Sequence, residues 1–222
     1  MTPKTDSDLK QDVLRELRWD TRVQEMDIGI TVGNGVVTLL GKVDSYAAKI
    51  AAEEAARRVS GVLIVLNDLQ VTVTPSSRKE DKEIEQTVRR LFEWDVRIPQ
   101  QHITTTVADG WVTLEGKVGS LIEREDAEHA IRYVTGVRGV INKLQVVPQE
   151  ASASEISDAI REALARSDVS FPERIQVTVA DGAITLSGQV SSWTDKLIVL
   201  SAVSHTPGVR FVYDQLHIDP YS

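Results

Sequence analysis

One nine-residue pattern occurs three times in this chain, and that repetition limits the fold more than any other property of the sequence. Gly35-Val36-Val37-Thr38-Leu39-Leu40-Gly41-Lys42-Val43 returns as Gly110-Trp111-Val112-Thr113-Leu114-Glu115-Gly116-Lys117-Val118. It returns again as Gly182-Ala183-Ile184-Thr185-Leu186-Ser187-Gly188-Gln189-Val190. The offsets are 75 and 72 residues. They hold without a gap through Gly61-Val62, Gly136-Val137 and Gly208-Val209, and through Asn67-x-Leu69, Asn142-x-Leu144 and Asp214-x-Leu216. Polar and apolar choices that recur in phase over such a span define one structural unit used three times. The expected units are 1–74, 75–149 and 150–222.

A unit of about 70 residues buries only about 60% of the surface of its unfolded chain. Neighbouring units are therefore expected to pack partly against one another rather than hang as loose beads. A hydrophobic fraction of 41% with 26% charged residues is that of a folded globular protein. The net charge is −8, and the third unit is the most acidic, with 5 Lys and Arg against 10 Asp and Glu. That balance argues against sequence-independent nucleic-acid binding, which relies on clustered cations. There is no cysteine, which excludes disulfides, thiol catalysis and thiolate metal sites. No apolar run approaches the ~18 residues that span a bilayer. The start, Met1-Thr2-Pro3-Lys4-Thr5-Asp6, has no secretory pattern, so the expected location is cytoplasmic, or periplasmic if a leader has been removed.

Each unit opens with a helical period: Leu9, Val13 and Leu17; Ile84, Val88, Leu91 and Phe92; Ile156, Ile160 and Leu164. Thr5-x-x-Asp8, Ser77-x-x-Glu80 and Ser152-x-x-Glu155 read as capping boxes before these helices. Two alternating strands follow, joined by Asn34-Gly35, Asp109-Gly110 and Asp181-Gly182, the pairs a two-residue type I′ hairpin demands. Gly41, Gly116 and Gly188, near the end of the second strand, predict a bulge or a close backbone approach. A second helix, expected over 45–60 in the first unit, carries a narrow stripe of Ala52, Ala55, Ala56 and Val59. Its counterparts are Ala127, Ala130, Ile131 and Val134, then Val199, Ala202 and Val203. Gly61, Gly136 and Gly208 read as stops of that helix, before a last strand. The fold class is α+β: three tandem α-β-β-α-β units, each a three-stranded sheet packed on two helices. Pro75-Ser76-Ser77 and 148–152 are the linkers, short enough to let units swivel but not wander.

The pattern G-x-V-T-L-x-G-x-V, a helix of about 15 residues, then G-V-x-x-V-x-N-x-L resembles the BON domain (bacterial OsmY and nodulation). The first unit matches through Gly35, Thr38, Leu39, Gly41, Val43, Gly61, Val62, Val65, Asn67 and Leu69; the third has Asp214 in place of the asparagine. The resemblance implies the α-β-β-α-β fold and no enzyme activity. It also implies association with osmotic and envelope stress, anionic phospholipids or client proteins, and potassium sensing where a LysM module is attached. This sequence has no signal peptide, lipobox cysteine or LysM module.

No catalytic or metal motif appears: His102, His129, His205 and His217 have no helical spacing, and no cofactor is implied. Glu123, Glu125, Asp126 and Glu128 form a cation cluster or a solvated helix face. Asn67, Asn142 and Asp214 are ligand groups or, in the structural alternative, satisfy nearby backbone. One feature stands out. Arg15, Trp19 and Arg22 fall at i, i+4, i+7 with Arg18 beside them, and Arg90, Trp94 and Arg97 repeat the offsets with Arg89 adjacent. Tryptophan at headgroup level with arginine on phosphate is what an anionic surface would meet. The alternative is a tryptophan over the sheet edge, with arginines paired to Asp12 or Glu16. The third unit has Glu162, Arg166 and Val169 there and lacks the pattern.

The expected function is a non-enzymatic, stress-associated scaffold that engages a protein partner or an anionic phospholipid surface multivalently. The other expectation is a sensor that holds a monovalent cation such as potassium, or a small ligand, on backbone carbonyls.

Overall fold

The first helix of each unit begins where its side chains satisfy the free amides of the first turn. The computed structural model describes residues 4–23, 28–148, 151–167 and 174–219. In α1 (Asp6–Trp19) the Thr5 side chain accepts from the Asp8 amide, and the Asp8 side chain from the Thr5 amide. Ser152 and Glu155 do the same for α5 (Ala153–Arg166). Such caps are worth about 1 kcal/mol each. The expected box at Ser77 does not form. Ser77 instead donates its amide to the Thr74 carbonyl in the linker turn, and α3 (Asp81–Trp94) begins after Glu80, whose amide is accepted by Glu83. Glu80 is the position that the 75-residue offset makes equivalent to Thr5, and it forms its own capping box with Glu83.

Strands β1 (Ile28–Gly33) and β2 (Val36–Val43) pair antiparallel, and β3 (Ile64–Val71) joins β2 in parallel after the crossover helix α2 (Tyr46–Arg58). The second unit repeats this as β4 (Ile103–Ala108), β5 (Trp111–Val118), α4 (Leu121–Ile131) and β6 (Gly139–Val146). The third has β7 (Ile175–Ala180), β8 (Ala183–Val190), α6 (Trp193–Ser204) and β9 (Phe211–Ile218). Each sheet is separate, with its hairpin strand and its last strand at the edges. Asn34 and Gly35 take φ of 51° and 77°, as a type I′ turn requires, and the other two hairpins match.

Gly116 has φ 137°, and a side chain there would drive into the His102 carbonyl; Gly188 stands in the same way against Arg174. The close approach expected at these positions is present. Gly61, Gly136 and Gly208 are not helix stops in the expected sense. The helices end at Arg58, Ile131 and Ser204, and the glycines lie in the following turn with positive φ. That turn runs against the start of the first helix: a Cβ on Gly136 or Gly208 would stand 2.9 Å from Lys79 or Ile156.

Both helices of a unit bury against one face of its sheet. In the first, Leu9, Val13 and Leu17 of α1 meet Val37 and Leu39 of β2 and the alanines of α2. The α2 stripe is wider than its sequence period implied, since Ala48 and Ala51 are buried with Ala52, Ala55 and Ala56. Asn67 locks the last strand to this helix. Its Nδ2 donates to the Lys49 carbonyl at 2.9 Å and to Glu53 at 3.0 Å, while its Oδ1 accepts from the Leu69 amide. Asn142 repeats all three contacts with Arg124, Glu128 and Leu144. In the third unit Leu200 stands where the glutamate was, and Asp214 pairs with Lys196 at 2.8 Å instead. The exchange is coherent, because a carboxylate cannot donate and would repel a glutamate.

The three units close into a ring. Tyr46, Leu121 and Trp193 occupy the same position, the first residue of α2, α4 and α6 after a capping serine. Tyr46 packs against the core of the second unit, Leu121 lies in the core of the third, and Trp193 packs against the core of the first. Each unit thus inserts the same position into the next, a head-to-tail contact that closes after three steps. Polar contacts accompany it: Arg132 to Glu54 at 3.2 Å, Ser204 to Glu125 at 3.1 Å, and Arg57 under the Trp193 ring.

Candidate functional site

The arginine and tryptophan pattern divides in two once placed on the fold. Helix α1 ends at Trp19 and α3 at Trp94, so Arg22 and Arg97 lie beyond the helices rather than on their faces. The expected i, i+4, i+7 stripe is therefore cut at its last member. The cause is local. Asp20 and Asp95 leave the helical conformation and accept the side chains of Arg22 and Arg97, two residues on, at 2.7 and 2.9 Å.

These folded-back arginines also reach the second helix of their unit, Arg22 to Glu54 and Arg97 to Asp126, both at 3.3 Å. Asp20 further accepts from Arg58 at 3.2 Å. The Arg22 hydrogen bond holds the Asp20 carboxyl well below its ordinary range, against the opposing effect of its burial. Arg97 lowers Asp95 likewise. Arg22 and Arg97 thus serve first to brace the turn after the helix.

What remains at each helix end is exposed. Trp19 is 80% and Trp94 86% accessible, so neither covers a sheet edge, and Val96 beside Trp94 is fully accessible. Arg15, Arg18, Arg89 and Arg90 all face solvent. Arg15 pairs with Asp12 at 3.2 Å and Arg89 with Glu85 at 2.9 Å, while Glu16 is taken by Arg58. Exposed pairs of this kind are worth about 0–1 kcal/mol and exchange easily. In the third unit Glu162 pairs with Arg166, and Val169 lies outside the described residues.

The four carboxylates of α4 do not converge. Glu123 accepts the Gly119 amide, Asp126 holds Arg97, Glu128 holds Asn142 and Glu125 accepts from Ser204. Among the described residues no three His, Asp or Glu side chains gather as a metal would need. An open groove of about 890 Å³ lies beside the first linker, lined by Val73, Lys79, Asp81, Gly110 and Arg138. Asp81 is committed there, accepting the amides of Asp109 and Gly110 at 2.9 Å. Sequence reasoning did not anticipate the ring-closing residues or the open sheet faces. Their signal is present only as apolar residues at fixed offsets: Tyr46, Leu121 and Trp193, and Leu66, Ile141 and Tyr213.

Comparison with known proteins gives this geometry a context. The family model described as BON domain matches residues 5–73, 80–148 and 152–220. Osmotically-inducible protein Y of Escherichia coli (strain K12) is 29% identical over 127 residues, 55% of this chain. The match spans 63% of that relative's length, less than two thirds. Two structures of CdsD, a structural protein of the Type III secretion system of Chlamydia trachomatis, align at 16% identity. Their TM-scores are 0.28 and 0.27; they cover 97% and 98% of this chain and 94% and 100% of theirs. No helix among the described residues is long and apolar enough to cross a membrane.

Proposed function

The chain belongs to the BON domain family, with three copies of the domain; from that premise we propose a non-enzymatic, stress-associated scaffold whose first two units dock on anionic phospholipid. The stress association rests on the relative whose name records osmotic induction. The docking rests on one observation: Trp19 and Trp94 project almost fully into solvent from equivalent helix ends.

The ring adds a geometric reason. Where each unit repeats one contact with the next, equivalent positions are related by rotation and share one level along its axis. Trp19 and Trp94 then stand at one level along that axis, where one surface can meet both. Tryptophan rings seat at the headgroup level, and Arg15, Arg18, Arg89 and Arg90 supply cations for phosphate. Two weak contacts on one body act at high effective concentration, so neither has to be strong alone. Arg22 and Arg97 brace the tryptophan-bearing turn and contribute less charge, because each already faces carboxylates.

Liposome flotation is the test. The intact chain is expected to float with vesicles containing phosphatidylglycerol and to stay behind with phosphatidylcholine alone. Each single substitution, Trp19→Ala or Trp94→Ala, is expected to weaken flotation, and the pair together to abolish it. Equal flotation on both lipids, or a double variant that floats like the parent, overturns the proposal.

A further inference from the structure

The helices cover one face of each sheet and leave the other open. On that open face the last strand begins with large apolar groups in all three units: Ile64 and Leu66, then Ile141 beside Trp111, then Phe211 and Tyr213. Ile64 and Leu66 are 50% and 48% accessible. In every unit this strand is also a sheet edge, and among the described residues no strand of another unit pairs with it. Edge strands are ordinarily blunted by charge or proline. The opening half of β3, Ile64-Val65-Leu66-Asn67, has neither.

The three open faces diverge at the next position along the strand. Lys143 is neutralised by Glu115 at 3.0 Å, and Gln215 is uncharged. Asp68 is exposed and has no ion-pair partner among the described residues. Lys42, on the adjacent strand, pairs in register with Gln70 and not with Asp68. The outward backbone groups of Leu69 are taken by the side chains of Asn67 and Lys49. The first unit therefore offers a backbone edge at Val65 and Asn67, with apolar, apolar and anionic groups at the alternate positions Ile64, Leu66 and Asp68.

We propose that the outer edge of β3 binds an extended, basic polypeptide segment as a fourth strand. Its backbone would complete the edge hydrogen bonds, which select main chain in an extended form. Its alternate side chains would be apolar against Ile64 and Leu66 and cationic against Asp68. Charge supports the choice of occupant twice, locally through Asp68 and globally through a net charge of −8, which favours encounter with cationic segments. The site is independent of Trp19 and Trp94, so the scaffold can hold a peptide while docked elsewhere.

The test uses the intact chain and short fluorescent peptides that carry valine at two alternate positions, lysine at the third, and threonine between. Fluorescence anisotropy is expected to detect the lysine peptide, with the glutamate version weaker by about tenfold. Methylating alternate backbone nitrogens is expected to abolish binding. Leu66→Glu weakens it, and Asp68→Lys reverses the preference between the two peptides. Asp68 is solvent-facing, so its replacement leaves the fold intact, which an unchanged melting curve checks. Binding that ignores Asp68→Lys, survives backbone methylation, or is absent at millimolar peptide overturns the proposal. Flotation on anionic vesicles is expected to be the same for Asp68→Lys, which separates this site from the tryptophan surface.

Discussion

The guanidinium of Arg57 lies 4.6 Å from the ring centroid of Trp193, and that contact joins the first unit to the third. The other two junctions are assisted by a covalent linker; this one is not. Replacing Trp193 with alanine removes both the stacking and the apolar contact with the first core, which together are worth about 2 kcal/mol for a half-buried tryptophan. For a protein of this length that is a fall of about 4–8 °C in Tm. Trp193→Phe keeps the ring and is expected to lose less. Calorimetry decides, and an unchanged Tm for the alanine variant would mean the junction is incidental.

A second expectation concerns the asparagine lock. Asn67→Asp removes the donor to the Lys49 carbonyl and sets a carboxylate beside Glu53. The cost is about 2 kcal/mol, and Asn142→Asp should match it. The third unit supplies the control, because Asp214 already pairs with Lys196 there. Lys49 already stands where Lys196 does, so adding Glu53→Leu to Asn67→Asp recreates the third unit's arrangement and should recover most of the loss. A double variant no more stable than Asn67→Asp alone would sink the compensation argument.

Backbone approach makes the third prediction. Gly116→Ala and Gly188→Ala place a Cβ against a carbonyl oxygen, in a backbone region that only glycine occupies without strain. Each is expected to destabilise by about 3 kcal/mol in urea unfolding. Gly33→Ala, with open space around it, is the comparison and should change little.

These cases mark where the sequence was legible. The hairpins were, because Asn34-Gly35 states a backbone conformation directly. The lock at Asn67 was legible as a structural role but not as a bond to α2, since its partner is a carbonyl. Arg22 was misplaced because periodicity alone continues a helix that Asp20 ends by capturing that arginine. The ring was invisible for a different reason. Its three closing residues share a position but not an identity, and tyrosine, leucine and tryptophan do not announce a common task.

Acid should reveal the turn after α1. The Asp20 carboxyl titrates below its ordinary value of 3.8, so it contributes stability above that pH and loses the contribution as pH falls through the lowered value. Asp20→Asn is therefore expected to be less stable than the parent at neutral pH. The difference should narrow steadily on acidification below 3.8. A gap that stays constant across that range would separate Asp20 from the acid response.

Small-angle scattering on the intact chain tests the closed ring most directly. A single body of 222 residues has a radius of gyration of about 17 Å. The account predicts that value, with a single bell-shaped Kratky peak that is unchanged by dilution. A clearly larger radius with a raised high-angle plateau, as for three units strung on flexible linkers, would contradict it.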